Sequence, residues 1–167
     1  MVLRETNQRK PMDRSAIEKI ESGGDRLKAS IKGLGEKELR AFPVPGTWSV
    51  QQIVIHLVDS DLVITDRIKR IIAEENPILQ GVNETLWSNN LHYHEQSAED
   101  AVALLTLNRR QIARVLRELP DSAFDRTGTH TDRGSMKLSE FVGFYEQHLV
   151  HHLKFIYEKR EKLGKPI

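Results

Sequence analysis

The sequence predicts an all-α protein that folds as a four-helix bundle. Apolar residues recur at the spacing of an amphipathic helix in four separate segments of the chain. Strand signals are almost absent from these segments, and the links between them are rich in proline, glycine and polar residues. Because each such helix has one apolar face to bury, the four are expected to pack around a shared core.

Length and composition favour one soluble domain. The chain has 167 residues, of which 38% are hydrophobic and 29% charged, as in a globular domain with a substantial core. We expect a flexible N-terminus at residues 1–12 and a single domain at 13–167. There is no apolar signal region and no run of roughly 18 apolar residues, so neither export nor a membrane partner is expected. The absence of cysteine excludes thiolate ligands and fits a cytoplasmic protein.

The first two helices are predicted at residues 13–31 and 49–75. In the first, the apolar positions keep helical spacing, but the pair Gly23-Gly24 weakens its middle. The second has a clear start, because Ser49 followed three residues later by Gln52 forms a capping box. Trp48, which precedes the cap, is placed to pack on Ile53 as a hydrophobic staple.

The third and fourth helices are predicted at residues 97–120 and 138–163. Ser97 with Asp100 resembles another helix cap, and Pro120 ends the third helix. The link that follows, up to residue 137, is consistent with a short hairpin. The fourth helix carries a core-facing stripe made of Leu138, Phe141, Val142, Tyr145, Leu149, Leu153 and Ile156. The links of 16 to 22 residues are longer than an ideal up-down bundle needs, which is typical of a crossover or a functional segment.

Three histidines lie within five positions of the fourth helix. His148 and His152 are about 40° apart around the helix axis, so both side chains can reach one ion from successive turns. The apolar stripe places this pair on the core side of the helix. His151 is about 100° away from His152 and is assigned a supporting or packing role.

A third ligand is predicted on the second helix, at His56. This residue sits at the edge of the apolar face, so packing of the second helix beside the fourth would bring it opposite the histidine pair. Catalytic zinc typically has three protein ligands and a water in the open position. The pattern thus predicts a metal site of His56, His148 and His152, with three hydrogen-bonded core histidines as the alternative.

In this order and spacing, the motifs resemble those of the DinB-like superfamily, which includes the YfiT-type proteins. The resemblance covers about residues 13–162. The matching residues are Trp48 and Ser49, His56, Gly128, Gly134, His148 and His152.

The resemblance implies an up-down-down-up four-helix bundle with a long crossover connection, often a homodimer. It implies a divalent metal, zinc or nickel, near one end of the bundle, with His56, His148 and His152 as its ligands. It also implies either a metal-dependent hydrolase or a transferase that uses a low-molecular-weight thiol. In both cases the substrate is a small molecule.

The chemistry of such a site follows from its charge. Three neutral imidazoles leave the charge of the metal uncompensated, which lowers the pKa of a bound water to about 7. The sequence contains no GxSxG elbow and no phosphate-binding loop. Candidates for a proton-handling group are Asp59, His130 and His151. Asp59, one turn after His56, is also a candidate for orienting a ligand histidine, with a solvated helix charge as the alternative.

The sequence also bears on two other classes of function, an interaction module and a nucleic-acid-binding protein. A non-catalytic, dimeric helical-bundle interaction module remains the alternative to an enzyme, and it predicts a sealed site. A nucleic-acid partner is not expected, because 25 Lys and Arg residues balance 24 Asp and Glu residues. We interpret two clusters of basic residues as solvated helix faces: Arg67, Lys69 and Arg70, and Arg109, Arg110 and Arg114. Trp87, Tyr93 and Phe144 either line a pocket or pack in the core.

Overall fold

The computed structural model describes residues 14–167. The predicted flexible N-terminus at 1–12 lies outside the described residues. The helices are α1 (Ser15–Glu21), α2 (Gly23–Ile31), α3 (Glu36–Arg40), α4 (Val50–Ala73), α5 (Glu84–Asn90), α6 (Ala98–Glu118) and α7 (Leu138–Lys162). The strands are β1 (Ile78–Leu79), β2 (Thr127–His130) and β3 (Gly134–Lys137), and a 3-10 turn covers Asp121–Asp125. Among the described helices, none combines the length and apolarity that a membrane span requires.

The bundle consists of α1–α2, α4, α6 and α7. Both α6 and α7 pack against α4 and against α1–α2, so α4 lies diagonally across the bundle from α1–α2. Along α1–α2, Arg26 reaches Glu146 of α7, and further on the Ser30 carbonyl accepts a hydrogen bond from Arg160. These two contacts advance in the same direction on both helices, so α1–α2 and α7 run parallel.

The remaining directions complete the predicted topology. Gln51 of α4 donates to the carbonyl of Gln96, just before α6, and Asp61 of α4 meets Asn108 of α6, so these neighbours run parallel. The contacts of α7 with α4 run in the opposite sense. His56, early in α4, meets His148 and His152, whereas Thr65, later in α4, meets the earlier α7 residue Tyr145. The bundle is therefore up-down-down-up, and the connection between the parallel helices α4 and α6 is the long crossover.

The first bundle helix is divided at Ser22, next to the glycine pair. These glycines lie at a close approach of α2 to α6. A Cβ built on Gly24 would lie 2.7 Å from the Cα of Thr106, and one on Gly23 would lie 2.9 Å from Cδ of Arg109. The helix thus loses intrinsic stability at this point but gains a close contact with its neighbour.

The predicted caps are confirmed. The Ser49 hydroxyl accepts a hydrogen bond from the backbone N–H of Gln52 at 3.1 Å, while Gln52 accepts one from the backbone N–H of Ser49 at 2.9 Å. Trp48 packs against the core cluster that contains Ile53. At α6, the Ser97 hydroxyl accepts from the backbone N–H of Asp100 at 3.1 Å. Local sequence therefore sets where α4 and α6 begin.

The predicted hairpin is present as β2 and β3, and it belongs to a small three-stranded sheet. β1, which lies in the crossover, pairs with β2 in parallel, with Leu79 opposite His130. Gly128 permits this packing, because a Cβ there would lie 2.8 Å from Cδ1 of Leu79. The sheet ties the crossover to the hairpin beside the C-terminal half of α4.

The core consists of two apolar clusters along the bundle. Between them lies a buried polar network. The Arg109 guanidinium donates from Nε to Asp61 at 2.7 Å, and each side chain is 1% exposed. Tyr145 and Asn108 also donate to the Asp61 carboxylate, at 2.6 and 2.8 Å. The prediction that Arg109 lies on a solvated face was wrong, because its counter-ion stands on a helix that is distant in the sequence.

Candidate metal centre

The three predicted ligand histidines converge on one point between α4 and α7. His56 lies in the first half of α4, and His148 and His152 lie one turn apart on α7. The Nε2 atom of His56 is 3.3 Å from Nε2 of His148 and 3.2 Å from Nε2 of His152. The candidate ligand nitrogens of all three rings lie within 4.8 Å of one another. We call this group the histidine cluster.

The spacing of these nitrogen atoms fits a divalent cation. Imidazole nitrogens bind zinc at about 2.0–2.1 Å, so two ligands of a tetrahedral site lie about 3.3 Å apart. In the absence of a cation, the Nε2 atom of His56 can share one proton with only one of its two neighbours. A cation instead accepts a lone pair from every ring. The donor set is thus better matched to a metal than to a network of hydrogen bonds among neutral imidazoles.

Burial keeps these rings neutral. It lowers the pKa of His56 to about 4 and the pKa values of His148 and His152 to about 3. Repulsion from the neighbouring rings lowers the pKa values of His148 and His152 further. The imidazoles are therefore uncharged at neutral pH, and their lone pairs are available to a ligand-accepting ion.

Aromatic side chains pack against each ring of the histidine cluster. The Trp48 ring lies 4.9 Å from the ring of His56, measured between centroids. Phe144 lies 5.7 Å from the His148 ring, and Phe155 lies 6.0 Å from the His152 ring. Because Trp48 directly precedes the cap of α4, the same local motif starts the helix and restrains the first ligand. These aromatic contacts limit both the rotation of the rings and the access of water.

Ser60 is the polar neighbour of His56 that sequence reasoning missed. Its hydroxyl lies 3.4 Å from both ring nitrogens of His56, as expected for a residue four positions further along the helix. Asp59, which is a candidate both for orienting a histidine and for handling a proton, accepts a hydrogen bond from the hydroxyl of Tyr93 at 2.6 Å, and its roles stay predictions. The i,i+4 spacing was the sequence signal that favours Ser60 over Asp59. Within the described part of the chain, Nδ1 of His152 is buried without a hydrogen-bond partner.

Of the other two proton-handling candidates, His130 lies beside the cluster and His151 lies at its edge. His130 is buried at the end of β2, and its Nδ1 accepts a hydrogen bond from the backbone N–H of Asp132 at 3.1 Å. It lines the same cavity as His148. His151 is exposed, and its ring packs edge-on against Phe155 at 4.8 Å. The catalytic roles of both residues stay predictions.

A cavity of about 110 Å³ adjoins the histidine cluster on the side of His148. We call it the cationic cavity, and its polar lining includes Ser60, Arg67, His130, Arg133 and His148. Phe144 lies in its wall, as one of the two sequence alternatives predicted. Arg67 is only 8% exposed, so the prediction that it lies on a solvated face was wrong. The crossover covers this part of α4, and the Arg67 guanidinium donates to the carbonyl of Gln80.

A second cavity, of about 290 Å³, adjoins the cluster on the side of His152. We call it the apolar cavity, and it is lined by Val44, Thr47, Trp48, Ile53, His152, Phe155, Glu158 and Lys159. Because α4 and α7 are antiparallel, these residues lie toward the start of α4 and the end of α7. The cationic cavity lies in the opposite direction along both helices. The histidine cluster therefore separates two cavities of different character.

Comparison with known proteins gives concordant results. The family model of the DinB superfamily matches residues 19–156. A protein of Oceanobacillus iheyensis that carries the name "putative metal-dependent hydrolase" is 30% identical over 140 residues, which cover 84% of this chain and 81% of that protein.

Two solved structures share the fold. YfiT from Bacillus subtilis, described as "a probable metal-dependent hydrolase with an unusual four-helix bundle topology", superposes with a TM-score of 0.86 at 27% identity. The superposition covers 98% of this chain and 94% of YfiT. A mycothiol-dependent maleylpyruvate isomerase superposes with a TM-score of 0.65 at 11% identity, over 83% of this chain and 58% of the isomerase. At that identity the likeness concerns the fold alone.

Proposed function

The chain belongs to the DinB superfamily, and from that premise we propose that it is a metal-dependent hydrolase of a small molecule. His56, His148 and His152 would hold a zinc or nickel ion, since three imidazoles serve either metal. The observation that carries the proposal is the convergence of three neutral imidazoles, with Nε2 of His148 at 3.3 Å and Nε2 of His152 at 3.2 Å from Nε2 of the buried His56. A site with three protein ligands leaves a position open, which is the arrangement of catalytic zinc.

When bound, the cation would supply a Lewis acid that polarises a carbonyl group and lowers the pKa of water. The residues of the chain supply the surroundings. Phe144 and Phe155 restrict water around the cluster, and Ser60 offers a hydroxyl beside His56. Because Nδ1 of His130 accepts a hydrogen bond, the neutral ring carries its proton on Nε2 and can donate it within the cationic cavity.

A second candidate function is transfer to or from a low-molecular-weight thiol. Hydrolysis needs one substrate and water, whereas group transfer needs two reactants at the metal. The presence of one cavity on each side of the histidine cluster supports the two-reactant alternative. Two open cavities also favour an enzyme over an interaction module, for which a sealed site is expected.

The metal is tested by elemental analysis of purified, untagged protein. We expect about one zinc or nickel ion per chain in the wild type and none in the variant His148→Ala, His152→Ala. His151→Ala is the matched control, because His151 is exposed on the same helix turn and should leave the metal content unchanged. A wild-type protein that stays empty after supplementation with both metals would refute the proposal.

Activity then separates the two candidates. Metal-loaded protein is assayed against a panel of small esters and amides, with and without added thiols, beside the double variant. Hydrolysis that needs the metal but no thiol identifies a hydrolase. Turnover that appears only when a thiol is present identifies a transferase and rejects the hydrolase.

A further inference from the structure

The cationic cavity holds a buried guanidinium, that of Arg67, which forms no salt bridge within residues 14–167. Arg67 is 8% exposed, and its Nε–H is buried with no hydrogen-bond partner in the described part of the chain. In this part of the chain, the one hydrogen bond of its guanidinium is to the neutral carbonyl of Gln80. A buried charge without a counter-ion costs considerable free energy, and an anionic ligand at this position would offset that cost.

A second cation stands at the same cavity. The Arg133 guanidinium lies 4.8 Å over the ring of Phe144, which is itself packed on His148. Burial lowers the pKa of Arg67, and repulsion from Arg133 lowers it further, while Asp132 and Asp66 act in the opposite sense. Within residues 14–167, neither arginine forms a salt bridge with a carboxylate that would offset the repulsion between them.

Acidic residues do line this cavity, but they lie at its solvent side. Glu84 and Asp132 are both exposed, and water therefore screens their charges. The Asp132 backbone N–H is bonded to His130, and its carboxylate lies against Gly81 and Thr131. Inside the cavity the groups that can donate are Arg67 and the Nε2–H of His130. An occupant of the interior consequently meets donors of hydrogen bonds and positive charge.

We propose that the cationic cavity binds a carboxylate group of the substrate, with Arg67 as its buried anchor. The guanidinium is planar and presents parallel N–H groups that match a carboxylate, and it stays charged where a lysine would lose its proton. Val63, Ile64 and Phe144 line the cavity beside the arginine, so the substrate carries a short apolar body next to its carboxylate. The assignment rests on the proposed function, since the anchored acid would present its reacting group to the histidine cluster.

The test uses isobutyrate as the probe and isobutyramide as its uncharged isostere. Binding is followed by NMR titration of the full chain, in metal-loaded and in chelator-treated samples. Arg67→Met removes the anchor, and Arg67→Lys keeps the charge but loses the planar fork. Arg70→Met is the matched control, because Arg70 is an exposed arginine one turn further along α4 that pairs with Asp66 and Glu74.

We expect isobutyrate to bind at least about tenfold more tightly than isobutyramide in both metal states. Arg67→Met should weaken isobutyrate about ten- to a hundredfold and leave isobutyramide unchanged, as for a lost charge-assisted hydrogen bond. The affinity of Arg67→Lys for isobutyrate should lie between those of the wild type and Arg67→Met, and the affinity of Arg70→Met should match that of the wild type. If Arg67→Met does not fold, Arg133→Met replaces it in the test, because Arg133 is exposed. We expect Arg133→Met to weaken isobutyrate binding about two- to fivefold.

Three results would overturn the assignment. The first is equal affinity for the two probes, and the second is a preference for isobutyrate that survives Arg67→Met. The third is a preference for isobutyrate that is lost when the chelator removes the metal. The last would place the carboxylate on the cation instead. Elemental analysis of the same samples keeps the two proposals apart. Protein that binds isobutyrate through Arg67 but holds no zinc or nickel would reject the hydrolase and retain the carboxylate site.

Discussion

The ion pair between Asp61 and Arg109 offers the sharpest test of what holds the bundle together. The substitution Asp61→Asn preserves the shape of the side chain, removes its charge and replaces one acceptor oxygen with an NH2 donor. The carboxylate now accepts hydrogen bonds from Arg109, Tyr145 and Asn108, at 2.6 to 2.8 Å. An asparagine in its place retains one acceptor oxygen, so at least one buried donor loses its partner.

The expected cost of Asp61→Asn is about 3–5 kcal/mol of the free energy of unfolding. Most of it comes from Arg109, which is 1% exposed and would be left as an unpaired buried cation. Its Nη1 is already without a partner within residues 14–167, so no other group can replace the carboxylate. Each orphaned donor adds about 1–3 kcal/mol to the cost. A domain of this size is stable by about 5–15 kcal/mol, so the variant should lose a substantial fraction of its stability.

The assay is urea unfolding followed by far-ultraviolet circular dichroism. Arg109→Met completes a double-mutant cycle, and the double variant should be about 2 kcal/mol more stable than the sum of the single losses predicts. Arg110→Met is the surface control on the same helix and should stay within about 0.5 kcal/mol of the wild type. A loss below about 1 kcal/mol for Asp61→Asn, or strictly additive single effects, would show that the pair is not a dehydrated ion pair and would refute the reasoning.

Four further substitutions test local features by the same unfolding assay. Gly24→Ala should destabilise the protein by about 1–3 kcal/mol, because its Cβ would meet the α6 backbone at 2.7 Å. Gly143→Ala, a helical position with open space around its Cβ, should instead be neutral or stabilising by up to about 1 kcal/mol, and equal losses at the two sites would contradict the close approach. Ser49→Ala removes the α4 cap and should cost about 1 kcal/mol, with no change in the slope of the unfolding transition. Tyr93→Phe should cost about 1–3 kcal/mol through the lost hydrogen bond to Asp59 and leave the metal content at the wild-type level; a loss of metal would restore Asp59 to the site.

The parts of the fold that the sequence predicts are those with local causes. The capping box at Ser49 and the cap at Ser97 involve residues three positions apart, so their signals are complete within one turn. The histidine pair on α7 is likewise a matter of helical spacing. His56 could be added because its position on the apolar face of α4 directs it toward the bundle interior, where α7 is one of the neighbours.

The features that the sequence did not predict depend on contacts between distant segments. Arg67 and Arg109 lie among charged residues, a pattern typical of a solvated helix face. Arg67 is buried because the crossover covers it, and Arg109 is buried because it pairs with Asp61. β1 consists of two residues and exists because β2, some fifty positions later, offers a partner. Strands this short carry no periodicity of their own. A residue-by-residue pattern cannot contain these pairings, since each becomes favourable only once the bundle has formed.

The position of the buried network explains how a site made from two helices keeps its geometry. Asp61 stands on α4 shortly after His56, and Tyr145 stands on α7 shortly before His148. A shift of α7 by one residue relative to α4 would move each α7 histidine by about 1.5 Å and rotate it by about 100°, which would disperse the cluster. The hydrogen bond between Tyr145 and Asp61 opposes this shift directly. The helices α4 and α7 thus hold the histidine cluster in register, whereas the crossover and the hairpin line the cationic cavity beside it. Changes in these two segments should therefore alter binding at the proposed carboxylate site, and changes at Asp61 should weaken the proposed metal site without any contact to it.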